Sequence, residues 1–147
     1  MFMRTHRLFL RPAWPEDHAD HGCALHFGEQ RMWTEAAHPR FPHWLVTRPD
    51  ASGGAASIGQ LWLEADGDAA QVRCHIAPIQ RRRGYGAEAL CGLVAMAQML
   101  GHTRLVANPG GDDPSLARML ARAGFRRAGA GRWQLDLADG VPMGTAA

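Results

Sequence analysis

Lysine is absent from this chain: all sixteen Lys+Arg positions are arginine. A GC-rich coding bias explains this most simply, but the physical consequence does not depend on its origin. Every such cation is a planar fork suited to bidentate phosphate or carboxylate contacts. A phosphate loop built on a lysine is excluded. Cysteine is scarce and odd in number, at Cys23, Cys74 and Cys91, with no CxxC pair. That argues against a disulfide framework and for a reducing compartment, each cysteine reading first as a small buried apolar residue. No apolar run approaches the ~20 residues of a membrane span. The first ten residues carry Arg4, His6 and Arg7 and lack the apolar stretch of a secretory signal. The expectation is a cytoplasmic protein with no membrane partner. A formal net charge of +2 is too small to argue for a nucleic-acid partner.

What is present suits one compact domain over residues 1–147, with a frayed tail from about residue 139. Leu8 and Leu10 alternate with Arg7, Phe9 and Arg11, which predicts a first strand over 5–12 ended by Pro12. Pro15-Glu16-Asp17 reads as the start of a helix running to about Phe27. Residues 28–42 are poorly patterned, with room for a short helix over 29–36. Strands are predicted over 44–47, 57–64 and 70–77, the last two joined by an Asp66-Gly67-Asp68 turn. Ala87, Leu90, Leu93, Val94, Ala97 and Leu100 recur at helical spacing, and Gly101 reads as the C-cap. A strand over 104–107 and a helix from Pro114 to Gly124 follow. Two last strands, over 125–127 and 132–137, flank a Gly129-Ala130-Gly131 turn. The order predicts a mixed α/β sheet of six to seven strands with helices on both faces.

The most informative stretch lies between a strand and the longest helix: Ile79-Gln80-Arg81-Arg82-Arg83-Gly84-Tyr85-Gly86. A helix N-terminus leaves backbone N–H groups unpaired, and with the helix dipole they favour an anion. Gly84 and Gly86 allow a tight turn and close approach by a ligand, and consecutive arginines add charge on the same rim. The third glycine of the dinucleotide fingerprint is missing, Ala89 standing in its place. A solvated basic loop capping a helix is the competing interpretation.

Four segments in order resemble the GNAT acetyltransferases. Arg81-x-x-Gly84-x-Gly86 matches the family's R/Q-x-x-G-x-G/A turn, and residues 84–90 look like its GYGTEAL helix start. Arg7-Leu8-Phe9-Leu10-Arg11-Pro12 is similar to the RLxLRP strand of the ribosomal-protein alanine acetyltransferase subgroup. The segment from Asp112 through Ser115 and Leu120 to Phe125 resembles that subgroup's NxxSxxxLEKxGF. The resemblance implies a sheet splayed between its fourth and fifth strands, with acetyl-CoA as co-substrate in the opening and no metal. The pantetheine arm would lie along the strand ending at Ile76 and Ala77. The pyrophosphate would sit on Arg81, Arg82, Arg83, Gly84, Tyr85, Gly86 and Ala87, and Arg118 would lie near the cofactor. The implied partner is an amine acceptor, a protein N-terminus or a small molecule. The state is a monomer or a homodimer in which a second subunit completes the acceptor wall.

N-acyl transfer removes a proton from the amine, holds an oxyanion and protonates a thiolate. The subgroup's strand glutamate is Gln71 here, a neutral amide that is no base, and its helix tyrosine is Leu120. Candidates remain: His75, whose imidazole titrates near neutral pH, and Glu64 as bases, and Ser115 as the group that hydrogen-bonds the departing sulfur. Each base candidate also reads as an ordinary strand residue, and a bound neutral amine would need no base. Trp33 and Trp44 are candidates for the acceptor pocket, with core packing the alternative. His18, His21 and His26 do not complete a tetrahedral zinc site. A non-catalytic acyl-CoA sensor or scaffold is the alternative function. Nucleic-acid binding through Arg81, Arg82 and Arg83 lacks an aromatic platform.

Overall fold

A two-residue turn, Gly67-Asp68, fixes the register of the central hairpin between β4 (Ala55–Asp66) and β5 (Ala69–Ile76). Gly67 supplies the positive φ, +67°, that such a turn requires. The computed structural model of the protein describes residues 1–13, 43–76, 80, 82–109, 114–129 and 131–137. Around the hairpin, β1 (Met3–Arg4), β2 (Phe9–Pro12), β3 (His43–Pro49), β6 (Arg104–Ala107), β7 (Arg126–Arg127) and β8 (Trp133–Asp136) complete an eight-stranded sheet. Its order is β1-β2-β3-β4-β5-β6-β8-β7, with every pair antiparallel except β5–β6.

The mixed sheet matches the sequence expectation, with one strand more than the six to seven expected. The first strand is interrupted: residues 5–8 form a turn in which the Leu8 N–H donates to Thr5 Oγ1 (3.1 Å) and the Thr5 N–H to Leu8 O (2.9 Å). Alternation of Leu8 and Leu10 masks this turn, because both leucines are buried in the same core.

Helix α1 (Tyr85–Met99) buries Ala89, Leu90, Leu93, Met96 and Ala97 against the face carrying Leu10, Val46, Leu61, Leu63 and Val72. It approaches so closely that a Cβ on Gly92 would stand 2.7 Å from Leu10 Cδ1. Gly101, expected as the C-cap, closes the helix one position later, as the left-handed residue after the C-cap Leu100: the His102 N–H donates to Ala97 O (3.0 Å) and the Gly101 N–H to Gln98 O (3.1 Å). Leu100, expected on the apolar stripe, is 47% exposed, because the chain turns away there. Helix α2 (Pro114–Arg122) begins at its proline and closes on Gly124 in the same way, the Phe125 N–H donating to Leu120 O (3.0 Å). The opposite sheet face is buried too, at Leu45, Gln60 and Trp62. The helices expected over 15–27 and 29–36 lie outside the described residues, as does the tail.

Candidate active site

The only parallel pair among the described residues is also a short one. β5 and β6 are in register at Ala70↔Leu105 and Gln71↔Val106, and there the ladder stops. Beyond Gln71 the strands diverge, and two adjoining cavities occupy the wedge. The inner one, about 350 Å³, is walled by Gln71, Val72, Cys74, Ala107, Asn108, Leu116 and Leu120 among others. The outer one, about 420 Å³, runs from His75 and Ile76 to Gln80, Arg82, Gly84, Tyr85, Gly86 and Ala87. Its far wall is Ser115, Arg118 and Arg122 of α2. Cys74, Leu116 and Met119 line both, so the wedge is one groove.

At its outer end the groove meets the start of α1. Gly84 is the N-cap at φ +81°, and no side chain caps the helix. The first intrahelical bond runs from the Glu88 N–H to Gly84 O (3.1 Å), so the amides of Tyr85, Gly86 and Ala87 precede the helical ladder. Arg82 is a non-glycine residue with positive φ, +66°, a conformation tolerated only where the surroundings impose it. Gly86 lets α1 and α2 meet: a Cβ there would stand 2.1 Å from Met119 Sδ. Arg118 and Arg122, one turn apart on α2, line the same cavity as Arg82.

Behind the turn lies a second set of contacts. The Tyr85 ring has the Arg7 guanidinium 4.5 Å from its centroid and that of Arg48 at 5.9 Å. Arg48 Nη1 donates to the Tyr85 hydroxyl (3.1 Å) and to Gln80 Oε1 (3.4 Å). Glu88 accepts from Thr5 Oγ1, from the Arg7 N–H (2.6 Å) and from Arg7 Nε (2.8 Å). Burial pushes the Glu88 carboxyl up, but these hydrogen bonds and the Arg7 charge together outweigh it and leave it below its ordinary value.

The structure sorts the residues singled out from the sequence. It brings His75, Ile76, Arg82, Gly84, Tyr85, Gly86, Ala87, Ser115 and Arg118 to one cavity. Arg83 is exposed and lines neither cavity. Ala77, Arg81 and Trp33 lie outside the described residues, as do His18, His21 and His26. Glu64 lines neither cavity; it stands opposite Gln71 in the β4–β5 ladder and 3.8 Å from Arg73 Nη2. Trp44, considered for the acceptor wall, is instead core: it is 4% exposed and its indole N–H donates to Met1 O (3.0 Å). Among the described residues no group of three His, Cys, Asp or Glu could hold a metal ion. No helix among them is long and apolar enough to cross a membrane.

Sequence reasoning gave no role in the site to Gln80, Arg122, Arg48 or Arg7. The four-residue spacing of Arg118 and Arg122 carries a local signal for the second. Arg7 meets Glu88 across 81 positions of sequence, which no local pattern reveals.

A family profile described as an acetyltransferase (GNAT) domain matches residues 3–126. No curated protein matches the chain in sequence. Solved structures match it in fold. A GNAT-family acetyltransferase from Bacillus anthracis is 13% identical, with a TM-score of 0.69 over 92% of this chain and 98% of its own. RimL, a ribosomal L7/L12 α-N-protein acetyltransferase in complex with coenzyme A, is 13% identical, with a TM-score of 0.73 over 92% and 98%. A spermidine N-acetyltransferase chimera of Vibrio cholerae SpeG and hSSAT is 15% identical, with a TM-score of 0.66 over 90% and 98%. With a profile spanning most of its length, the chain belongs to the GNAT acetyltransferases.

Proposed function

We propose that the protein is an acetyl-CoA-dependent N-acetyltransferase acting on a primary amine, working as a single domain in the cytoplasm. The observation that carries this reading is one groove. It starts where the β5–β6 ladder stops and ends on the uncapped N-terminus of α1. A diphosphate needs hydrogen-bond donors and cations together. The amides of Tyr85, Gly86 and Ala87 and the guanidinium groups of Arg82, Arg118 and Arg122 supply both. A pantetheine arm needs a narrow slot, and the wedge between β5 and α2 offers one past Ile76, Cys74 and Leu116.

Acetyl-CoA supplies the activated acyl group, and the chain's own residues position it and move protons. His75, half-buried on β5, is placed to take the proton of the incoming amine. Ser115, across the groove, offers its hydroxyl to the sulfur. Glu64 is the weaker base candidate, since it reaches the groove only through Arg73. RimL and SpeG are named for two acceptor classes, a protein N-terminus and a polyamine. A primary amine is common to both.

A specific observation favours a second reading, an acyl-CoA sensor without turnover. Gln71 and Leu120 line the inner cavity where the family resemblance places a glutamate and a tyrosine. Calorimetric titration with CoA followed by a thiol-release assay over an amine panel separates the two. Binding with turnover supports the enzyme, binding without turnover on any amine supports the sensor, and no binding sinks both.

A further inference from the structure

Glu88 stands in the first turn of α1, where the helix dipole favours a carboxylate. A carboxylate in the first turn of a helix competes with any incoming anion for the positive end of the dipole. The structure resolves this conflict through the N-terminal turn. Glu88 accepts hydrogen bonds from Thr5 and from both the backbone and the guanidinium of Arg7, so its charge is spent within the protein. The same contacts fix Arg7. Its guanidinium lies over the Tyr85 ring, and its Nη2 stands 3.2 Å from where a Cβ of Gly84 would be. Gly84, the N-cap at φ +81°, and Tyr85, the first helical residue, are thus both held from behind by one side chain that lines neither cavity.

We propose that Arg7 is a positioning residue of the phosphate turn. Locked by Glu88 and Tyr85, it holds the Gly84 N-cap in its anion-accepting conformation and adds positive potential behind the amides of residues 85–87. It acts through the turn and does not touch the ligand. The chemistry it serves is the diphosphate of a nucleotide-bearing thioester, so the inference rests on the reading of the groove given above. It adds that residues 5–8, remote in sequence, belong to the binding apparatus.

The test is calorimetric titration of the full chain with CoA and, separately, with pantetheine, which lacks the diphosphate. Wild type, Arg7→Ala, Arg7→Lys and Glu88→Gln are compared, each checked by thermal melting. Arg7→Ala is expected to weaken CoA about tenfold, with Arg7→Lys and Glu88→Gln between it and wild type. Pantetheine binding is expected to be unchanged, and the CoA loss to shrink in high salt. A folded Arg7→Ala protein with wild-type CoA affinity overturns the proposal. So does an equal weakening of CoA and pantetheine, the mark of a role in the fold alone. Should Arg7→Ala fail to fold, Arg7→Lys and Glu88→Gln carry the same comparison. Failure of the wild type itself to bind CoA is a different result: it removes the groove assignment, and the role of Arg7 with it.

Discussion

The two ends of the groove are made of different materials. The outer end is backbone and fixed charge: uncapped amides, three guanidinium groups, and a tyrosine held between Arg7 and Arg48. The inner end combines apolar Val72, Leu90, Leu116, Met119 and Leu120 with polar Gln71, Arg73 and Asn108, and no described helix begins there. Holding a diphosphate asks for a geometry that the main chain itself supplies. Moving protons asks for particular side chains at particular points, and here the family's usual ones are replaced.

If that contrast is right, changes at the turn that opens α1 remove binding, and changes at the side chains proposed to move protons remove turnover. Gly84→Glu should have the largest effect. It forces a side chain onto a left-handed N-cap, with its Cβ 3.2 Å from Arg7 Nη2, and so distorts the turn proposed to hold the diphosphate. CoA affinity measured by calorimetry should fall by about a hundredfold or more. His75→Ala should lower kcat by roughly 10²–10³-fold in the thiol-release assay while leaving CoA affinity within about twofold. Glu64→Gln, on the far side of Arg73, should change kcat by no more than about threefold. A reversal of the last two would move the base to Glu64.

A smaller effect bears on the sheet face beside His75. Gln60, directly opposite His75 in the β4–β5 ladder, is fully buried, and neither amide atom has a hydrogen-bond partner among the described residues. A buried polar group left unpaired costs about 1–3 kcal/mol. Gln60→Leu should therefore raise the melting temperature, by the equivalent of about 1 kcal/mol, and a fall would refute that account. The smallest effect is that of pH. The folded-state pKa of Glu88 lies below its ordinary 4.5, so its stabilising contribution is complete above that value and is lost as pH falls through the lower, folded one. The CoA-affinity gap between wild type and Glu88→Gln should close on acidification over that interval.

Much of the scaffold was legible because its signals are local. Gly67-Asp68 set a hairpin, Pro114 opened a helix, and Gly101 and Gly124 closed two, each through backbone preferences within a few residues. The glycine turn that opens α1 was legible for the same reason. What escaped depends on pairing across the chain. Thr5 leaves the strand because Glu88 offers it a partner, and Trp44 turns into the core because Met1 accepts its indole proton. The transfer end was the least legible, since Gln71 and Leu120 break the pattern that would have named its residues, and Glu64 and His75 are separated only by tertiary geometry.

The brevity of the parallel ladder has a thermodynamic corollary. Strands on either side of the opening are stitched at only two residue pairs, as few as at either edge of the sheet, so this is the weakest seam in the sheet's interior. A ligand lying along it acts as a clasp between the two halves. Mass action then couples occupancy to cohesion: saturation at a hundred times Kd adds about 2.7 kcal/mol to the folded state. If the groove takes acetyl-CoA as proposed, the abundance of that co-substrate sets how firmly the domain is closed.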